Sequence, residues 1–322
     1  MIKNSIGLKT IASELNLSIN TVSHALRDCD DISQETKKIV RAKAVELGYI
    51  PNSIAQSLRS GKSQIIAIVL DNIASPYFGM IVEMMIREFA QRNYYAMVVP
   101  ATGYKLSEDL IKECIKIKAD AVVTFIVPEH EAVIMATLNK LPLLLFGRTS
   151  SEPNLNIVYT DDIQGGEQAA EYLISKGCKN LAYAEVSTIE CSIPRRDGFI
   201  KRSQALGIKN VASIDATYFE QNVEKIVSSG VDGIFCFNDQ LASRIINKMH
   251  DNNHYDSQRI KVIGYDAVSR ILDYPFDITS IQADYSKMVK DATEILLCQV
   301  EENNSLPSTV KKYDVHLFLG NS

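Results

Sequence analysis

The chain has 322 residues with 34 Lys/Arg against 39 Asp/Glu, a net charge of −5, so its overall balance is not that of a nucleic-acid binder. That length exceeds one ordinary domain and fits a small head on a larger, two-lobed body. The charge is uneven: residues 1–62 hold nine Lys/Arg and six Asp/Glu, about +3, which leaves about −8 on the rest and concentrates any attraction to DNA at the N-terminal end.

Leu8, Ile11, Ala12 and Leu15 have helical spacing and are followed by a break at Asn16-Leu17. Ser18 can cap a second short helix, Ile19 to Leu26, through its hydroxyl. Two short helices joined by so brief a turn form a helix-turn-helix pattern. Val22 and Leu26 then face inward as an i, i+4 pair. Ser18, Ile19, Asn20, Ser23, His24 and Arg27 face outward or toward the helix start. Asn20 can bond an adenine edge, His24 or Arg27 a guanine or a phosphate, and Ile19 can press on a thymine methyl. A third helix, from Ser33 to about Leu47, ends at Gly48, and its Ile39, Val40, Ala44 and Leu47 close a three-helix core.

From Ile65 onward strands alternate with helices. IIAIVL (65–70), YAMVVP (95–100), AVVTFIV (121–127) and LPLLLF (141–146) are strand-like, with helices at Tyr77–Arg92, at Glu108–Ile117 and before Leu141. The pattern resumes after Asp161 with a helix from about Gly165 to Lys176, then LAYAEV (181–186), GIFCF (233–237) and KVIGYD (261–266). Such alternation means parallel sheets covered by helices on both faces. IKIKADAVVTF (115–125) and VSSGVDGIFCF (227–237) each set an acidic residue just before a buried strand, which suggests two similar lobes. A ligand would sit beyond the carboxyl ends of the strands, in the cleft between the lobes. Gly165-Gly166 lacks the lysine and the spacing of a P-loop and reads as tight helix packing.

The six cysteines (29, 114, 178, 191, 236 and 298) include no C-x-x-C pair and no zinc spacing, so free thiols in a reducing cytosol are expected. There is no apolar signal core and no run of membrane-spanning length, which points to a cytoplasmic chain and away from a periplasmic solute-binding protein. G-x-S-x-G, H-E-x-x-H and P-loop motifs are absent, and the histidines at 24, 130, 250, 254 and 316 form no acid–base constellation. The sequence therefore gives no sign of an enzyme and calls for no cofactor or metal.

LKTIASELNLSINTVSHAL (8–26), ISQETKKIVRAKAVELGYIPN (32–52) and the hinge IAQSLRSGKS (54–63) resemble the LacI/GalR family of bacterial transcriptional repressors. The body pattern extends that resemblance over nearly the whole chain. It implies a helix-turn-helix head at 1–48, a hinge helix and linker at 49–63, and an effector-binding and dimerisation core at 64–322. The core would be periplasmic-binding-protein-like, with one lobe at about 64–160 and 285–312, the other at about 161–284 and 313–322, and three crossings between them. By the same resemblance Ile19 and Asn20 discriminate bases, while Thr21 and Ser23 touch phosphates. Most relatives carry Arg at His24, and His gives one guanine bond where Arg gives a fork. Asn52, Ala55 and Leu58 match the family's hinge. Leu58 would wedge into the minor groove, where the simpler role is packing on the body. Ala55 lets two hinge helices approach, and Arg59 would hold a phosphate.

In the cleft, Ser75-Pro76-Tyr77-Phe78 matches a family loop, and Phe78 is either an aromatic wall or core. Arg195, three residues before Gly198-Phe199, matches an arginine that bonds the effector in relatives. Asn238, Asp239 and Asp266 follow strands, as does Asp161, and Arg148 is grouped with them; Asp239 and Asp161 are equally good as helix caps. Carboxylates opposing a guanidinium suit a polyhydroxyl ligand, and the resemblance implies a sugar. The partners implied are a palindromic operator, a sugar-like small-molecule effector and a second copy of the chain, with a tetramer left open and no membrane.

Overall fold

The computed structural model describes residues 6–50, 61–185, 192–216, 228–251, 256–270 and 277–320. The chain divides into two compact units, Met1–Ser63 and Gln64–Ser322.

The first unit holds α1 (Leu8–Leu15), α2 (Ile19–Leu26) and α3 (Gln34–Glu46). Ser18 and Ser33 cap α2 and α3, their hydroxyls accepting the amides of Thr21 at 3.0 Å and Thr36 at 3.2 Å. Each cap satisfies one of the backbone donors that a helix start leaves open. Ile11, Val22, Ala25 and Val40 are fully buried, with Ala12 and Ala44 beside them. Two expectations change here. Leu26 is only half-buried because Ala25, at i+3 from Val22, takes the centre of the stripe. Ile39 is 48% exposed, and Val40 alone points into the core at that turn. Asp28, at φ +65°, pairs with Lys37 at 3.1 Å and Arg41 at 2.9 Å. Both cations hold its carboxyl below the usual range, Lys37 most strongly through its hydrogen bond, and the pairs fix the α2–α3 turn against α3.

The second unit begins with β1 (Ile65–Leu70), α4 (Pro76–Gln91), β2 (Tyr95–Pro100), β3 (Lys105–Leu106), α5 (Glu108–Lys116), β4 (Ala121–Thr124), β5 (Val127–Pro128), α6 (His130–Leu138), β6 (Leu143–Phe146) and β7 (Asn156–Thr160). It continues with α7 (Asp162–Ser175), β8 (Leu181–Glu185), α8 (Ser192–Ala205), β9 (Val211–Asp215), β10 (Gly233–Cys236), α9 (Asp239–Asp251), β11 (Lys261–Tyr265), β12 (Thr279–Ala283), α10 (Tyr285–Glu301), β13 (Val310–Tyr313) and β14 (Val315–Phe318). The first lobe is built on a sheet of order β13-β7-β6-β4-β1-β2, wholly parallel. The second sheet runs β14-β12-β11-β10-β8-β9, parallel except for β14 against β12. The interior strands β4, β6 and β10 are buried at every residue, the expected state of strands covered on both faces. The chain passes from one sheet to the other after β7, after β12 and after β13.

Helix α7 starts at Asp162 rather than near Gly165, because the Asp161 carboxylate accepts the Gln164 amide at 3.1 Å and sets the start earlier. Gly165 and Gly166 do serve close packing. A Cβ on Gly166 would lie 2.1 Å from the Arg195 carbonyl oxygen, and one on Gly198 would lie 2.2 Å from the Ile163 carbonyl oxygen. Helices α7 and α8 thus meet backbone to backbone, which fixes the height of Arg195 above the second sheet. No described helix is long and apolar enough to cross a membrane.

Candidate effector cleft and DNA-reading surface

Helix α2 presents Ser18, Ile19, Asn20 and Arg27 to solvent, with Thr21 and His24 half-buried. Ile19 is 47% exposed, unusual for an isoleucine and suited to a thymine methyl. Ser23 departs from its expected outward position: it is buried, on the flank of the Val22–Ala25 stripe. His24 Nδ1 lies 2.6 Å from the Asp31 carboxylate, so Nε2 is the ring nitrogen not engaged there. Arg27 Nε donates to the Ser23 carbonyl at 3.2 Å. Among the described residues the one grouping of metal-type ligands is His24, Cys29 and Asp31, whose ligand atoms lie within 4.8 Å of one another. Two of its three members are already joined by the short His24–Asp31 contact. The hinge candidates Asn52, Ala55, Leu58 and Arg59 lie outside the described residues.

A cavity of about 660 Å³ opens between the two lobes of the body, at the carboxyl ends of their strands. Tyr77 and Phe78 come from the start of α4, Phe125 and Phe146 from the ends of β4 and β6, and Tyr285 from the start of α10. Their rings form a connected wall, with centroids 5.6 Å apart for Tyr77–Phe78 and Tyr77–Tyr285, 5.1 Å for Phe78–Phe125 and 5.5 Å for Phe125–Phe146. Phe78 therefore fills both roles left open by its sequence: it packs on the core and faces the cavity. Such tilted rings present apolar faces on which the C–H surface of a ligand can lie.

The facing lobe supplies Arg195, Phe237, Asn238 and Asp266. Arg195 is nearly buried. It donates through Nε to Asp162 at 3.2 Å and through one terminal nitrogen to the Phe237 carbonyl at 2.6 Å; the other terminal nitrogen lies 3.9 Å from Asp266. Its guanidinium carbon also stacks 3.5 Å from the centre of the Tyr265 ring. That many contacts leave one rotamer, so the guanidinium is pre-positioned. Asp266 has φ +88° and Ala267 φ +52°, conformations costly for residues with a Cβ and held here by the surrounding structure. The Asp266 amide donates to the Ile281 carbonyl at 2.8 Å, and the Ala267 amide donates to the Ser280 hydroxyl at 3.0 Å. Burial raises the Asp266 carboxyl to about 6, against the opposing pull of Arg195.

Six of the eight cleft residues expected from sequence line the cavity: Ser75, Phe78, Arg148, Arg195, Asn238 and Asp266. Asn238 also caps α9, accepting the Leu241 amide at 2.8 Å. The other two lie elsewhere. Asp239 is fully buried below the cleft, accepting the Ser280 hydroxyl at 2.6 Å and the Ser269 amide at 3.2 Å. It does not line the cavity, and it is not the helix cap, since Asn238 does the capping. It braces the loop after β11 that carries Asp266, and burial raises its carboxyl to about 7. Asp161 caps α7 and pairs with Lys312 at 2.6 Å, outside the cavity lining. Sequence reasoning missed Asp71, Lys105, Phe125, Phe146, Arg244 and Tyr285. Asp71, Phe125 and Phe146 each stand at or just beyond the end of a strand that was read correctly, the one signal that could have found them.

A helix-turn-helix head joined to a two-lobed, periplasmic-binding-protein-like body defines a class of DNA-binding regulators. The family model described as "Bacterial regulatory proteins, lacI family" matches residues 7–52, and that for a "Periplasmic binding protein-like domain" matches residues 170–322. The HTH-type transcriptional repressor PurR of Pasteurella multocida (strain Pm70) is 24% identical over 319 residues, 95% of each chain. Among solved structures, the lac repressor dimer bound to operator and the anti-inducer ONPF superposes with a TM-score of 0.84 at 18% identity over 99% of each chain. The transcriptional regulator CelR–cellobiose complex does so with a TM-score of 0.68 at 20% identity, over 98% of this chain and 99% of that one. Residues 7–52 thus match a lacI-family head and the body is periplasmic-binding-protein-like, and over nearly its whole length the chain resembles LacI-family DNA-binding transcriptional regulators.

Proposed function

We propose that the chain is a repressor that binds a pseudopalindromic operator as a homodimer and is controlled by a sugar-class molecule in the cleft. The head at 1–48 would read bases through Ile19 and Asn20. The hinge at 49–63 would press Leu58 into the minor groove, where unstacking is repaid by contacts that the bend allows. The observation that carries the reading is the cavity itself. An aromatic wall from one lobe faces a fixed guanidinium and a carboxylate from the other, the donor–acceptor pairing that a polyhydroxyl compound needs. The cellobiose held by the related CelR structure is the same kind of ligand.

The two walls belong to different lobes, so a ligand that touches both stabilises one lobe arrangement over others. DNA affinity then changes only by the difference in ligand affinity between arrangements, and DNA changes ligand affinity by the same factor. The test begins with operator selection from random-sequence DNA by the full chain. Gel-shift follows, with and without a panel of mono- and disaccharides. A palindromic consensus and a sugar-dependent shift are expected. Selection that yields no consensus would refute operator reading. A consensus with no sugar dependence would refute the effector class alone.

A further inference from the structure

The cleft carries more positive charge than a neutral sugar requires. Among the described residues its lining holds Lys105, Arg148, Arg195 and Arg244 against two carboxylates, Asp71 and Asp266. This stands out on a body whose own balance is about −8. Arg195 is matched within its wall by Asp162 and Asp266. Lys105 and Arg148 have no ion-pair partner among the described residues. They belong to the first lobe, Lys105 on β3 and Arg148 just past β6, whereas Arg244 stands on α9 of the second. The helix starts at Ser75 and Asn238 also open on the cavity, and each adds the partial positive charge of a helix N-terminus. Asp71 Oδ1, which has no hydrogen-bond partner among the described residues, is left to accept a hydroxyl.

We infer that the effector is an anionic polyol, a sugar skeleton carrying a phosphate ester or a carboxylate. This rests on the cleft reading proposed above and deepens it. The anion sits between Lys105 and Arg148 on one wall and Arg244 on the other, while the hydroxyls take Arg195, Asp266 and Asp71. The same charges supply the switch. An anion held by Lys105 and Arg148 of one lobe and Arg244 of the other makes charge-assisted hydrogen bonds to both and draws the lobes together, which a neutral sugar does not do as strongly.

The test uses the full chain and matched probes: glucose and glucose 6-phosphate, ribose and ribose 5-phosphate, galactose and galacturonate, and inorganic phosphate alone. Calorimetric titration is run on wild type, Arg148→Gln, Arg244→Gln and, as a control remote from the cleft, Arg202→Gln. The expected result is that at least one anionic sugar binds about ten-fold or more tightly than its neutral parent. That advantage should vanish in Arg148→Gln and Arg244→Gln, persist in Arg202→Gln, and shrink as NaCl rises from about 20 mM to about 300 mM. Whether the phosphate or the carboxylate arm responds identifies the anion. Neutral parents binding as well as their anionic partners, with binding lost in Asp266→Asn, would overturn the anionic class and leave the cleft reading standing. Binding of inorganic phosphate as tight as that of any sugar phosphate would overturn the polyol part. Silence from the whole panel would overturn the inference and the sugar reading together.

Discussion

Replacing Gly166 by alanine tests how Arg195 is held. The new Cβ would lie 2.1 Å from the Arg195 carbonyl oxygen and 2.6 Å from the Phe199 amide nitrogen. Both neighbours are backbone atoms in the middle of α8 and cannot rotate away. Helices α7 and α8 must part by about 1.3 Å, the difference between 2.1 Å and an ordinary contact of 3.4 Å. Forcing a methyl into such a seam costs about 1–3 kcal/mol, and a backbone contact belongs at the upper end. Alanine's helix propensity returns about 1 kcal/mol, so a net loss of about 2 kcal/mol is expected. Gly79 is the matched control: it is also helical, yet its Cβ would meet nothing within 4 Å, and alanine there should stabilise by about 0.5–1 kcal/mol. Urea denaturation of the three proteins reads both effects as midpoint shifts at constant slope. In Gly166→Ala the displaced α8 should also weaken effector binding, which Gly79→Ala leaves alone. Equal stability of Gly166→Ala and wild type would refute the claim that the glycine seam positions Arg195.

Asp239 gives a pH signature. Its folded carboxyl lies at about 7 against 3.8 for the free group, so its contribution is complete below about pH 4 and is lost as pH rises through 7. Three units at 1.36 kcal/mol each make this about 4 kcal/mol; the stability difference between wild type and Asp239→Asn, measured by denaturation at pH 4.5 and 8, should change by that order, and a constant difference would sink the assignment. Arg195→Ala leaves Asp162 and Asp266 facing each other uncompensated and should cost about 3–5 kcal/mol; a melting temperature equal to wild type would show that the guanidinium is not a strut. Asn20→Ala should relax the consensus at one symmetric operator position and cost about 1–3 kcal/mol there, with unchanged logos as the contrary result. Leu58→Ala should weaken specific binding by about 1–3 kcal/mol and spare non-specific binding; equal losses on operator and random DNA would refute the wedge.

The head and most interior strands were legible because their physics is local. A capped eight-residue helix such as Ile19–Leu26 shows both its serine cap and its stripe in sequence. IIAIVL and GIFCF are apolar throughout because both faces are covered. Of the edge strands, apolar YAMVVP (95–100) was legible, but VASID (211–215) and VKKY (310–313) were not, being half polar, since an edge needs less apolar surface. The cleft was partly legible, because strand ends predict where a ligand sits but not which neighbouring side chain turns toward it. Asp239 and Asp266 illustrate this. Both follow strands in the same lobe, yet Gly264 lets Asp239 slide under β11, where a Cβ would be 2.1 Å from its Oδ1. Nothing within either short motif reveals that long-range approach.

The last two strands also bear on how the protein is made. β13 pairs with β7 in the first lobe and β14 with β12 in the second, with only Asp314 between them. During synthesis both sheets wait for their final edge until these residues leave the ribosome, so neither lobe can be finished before the other. A frameshift or proteolytic cut just before Val310 would strip an edge from both sheets at once and expose hydrogen-bonding strands β7 and β12 to other chains. Both sheets of the body therefore depend on one nine-residue segment, Val310–Phe318.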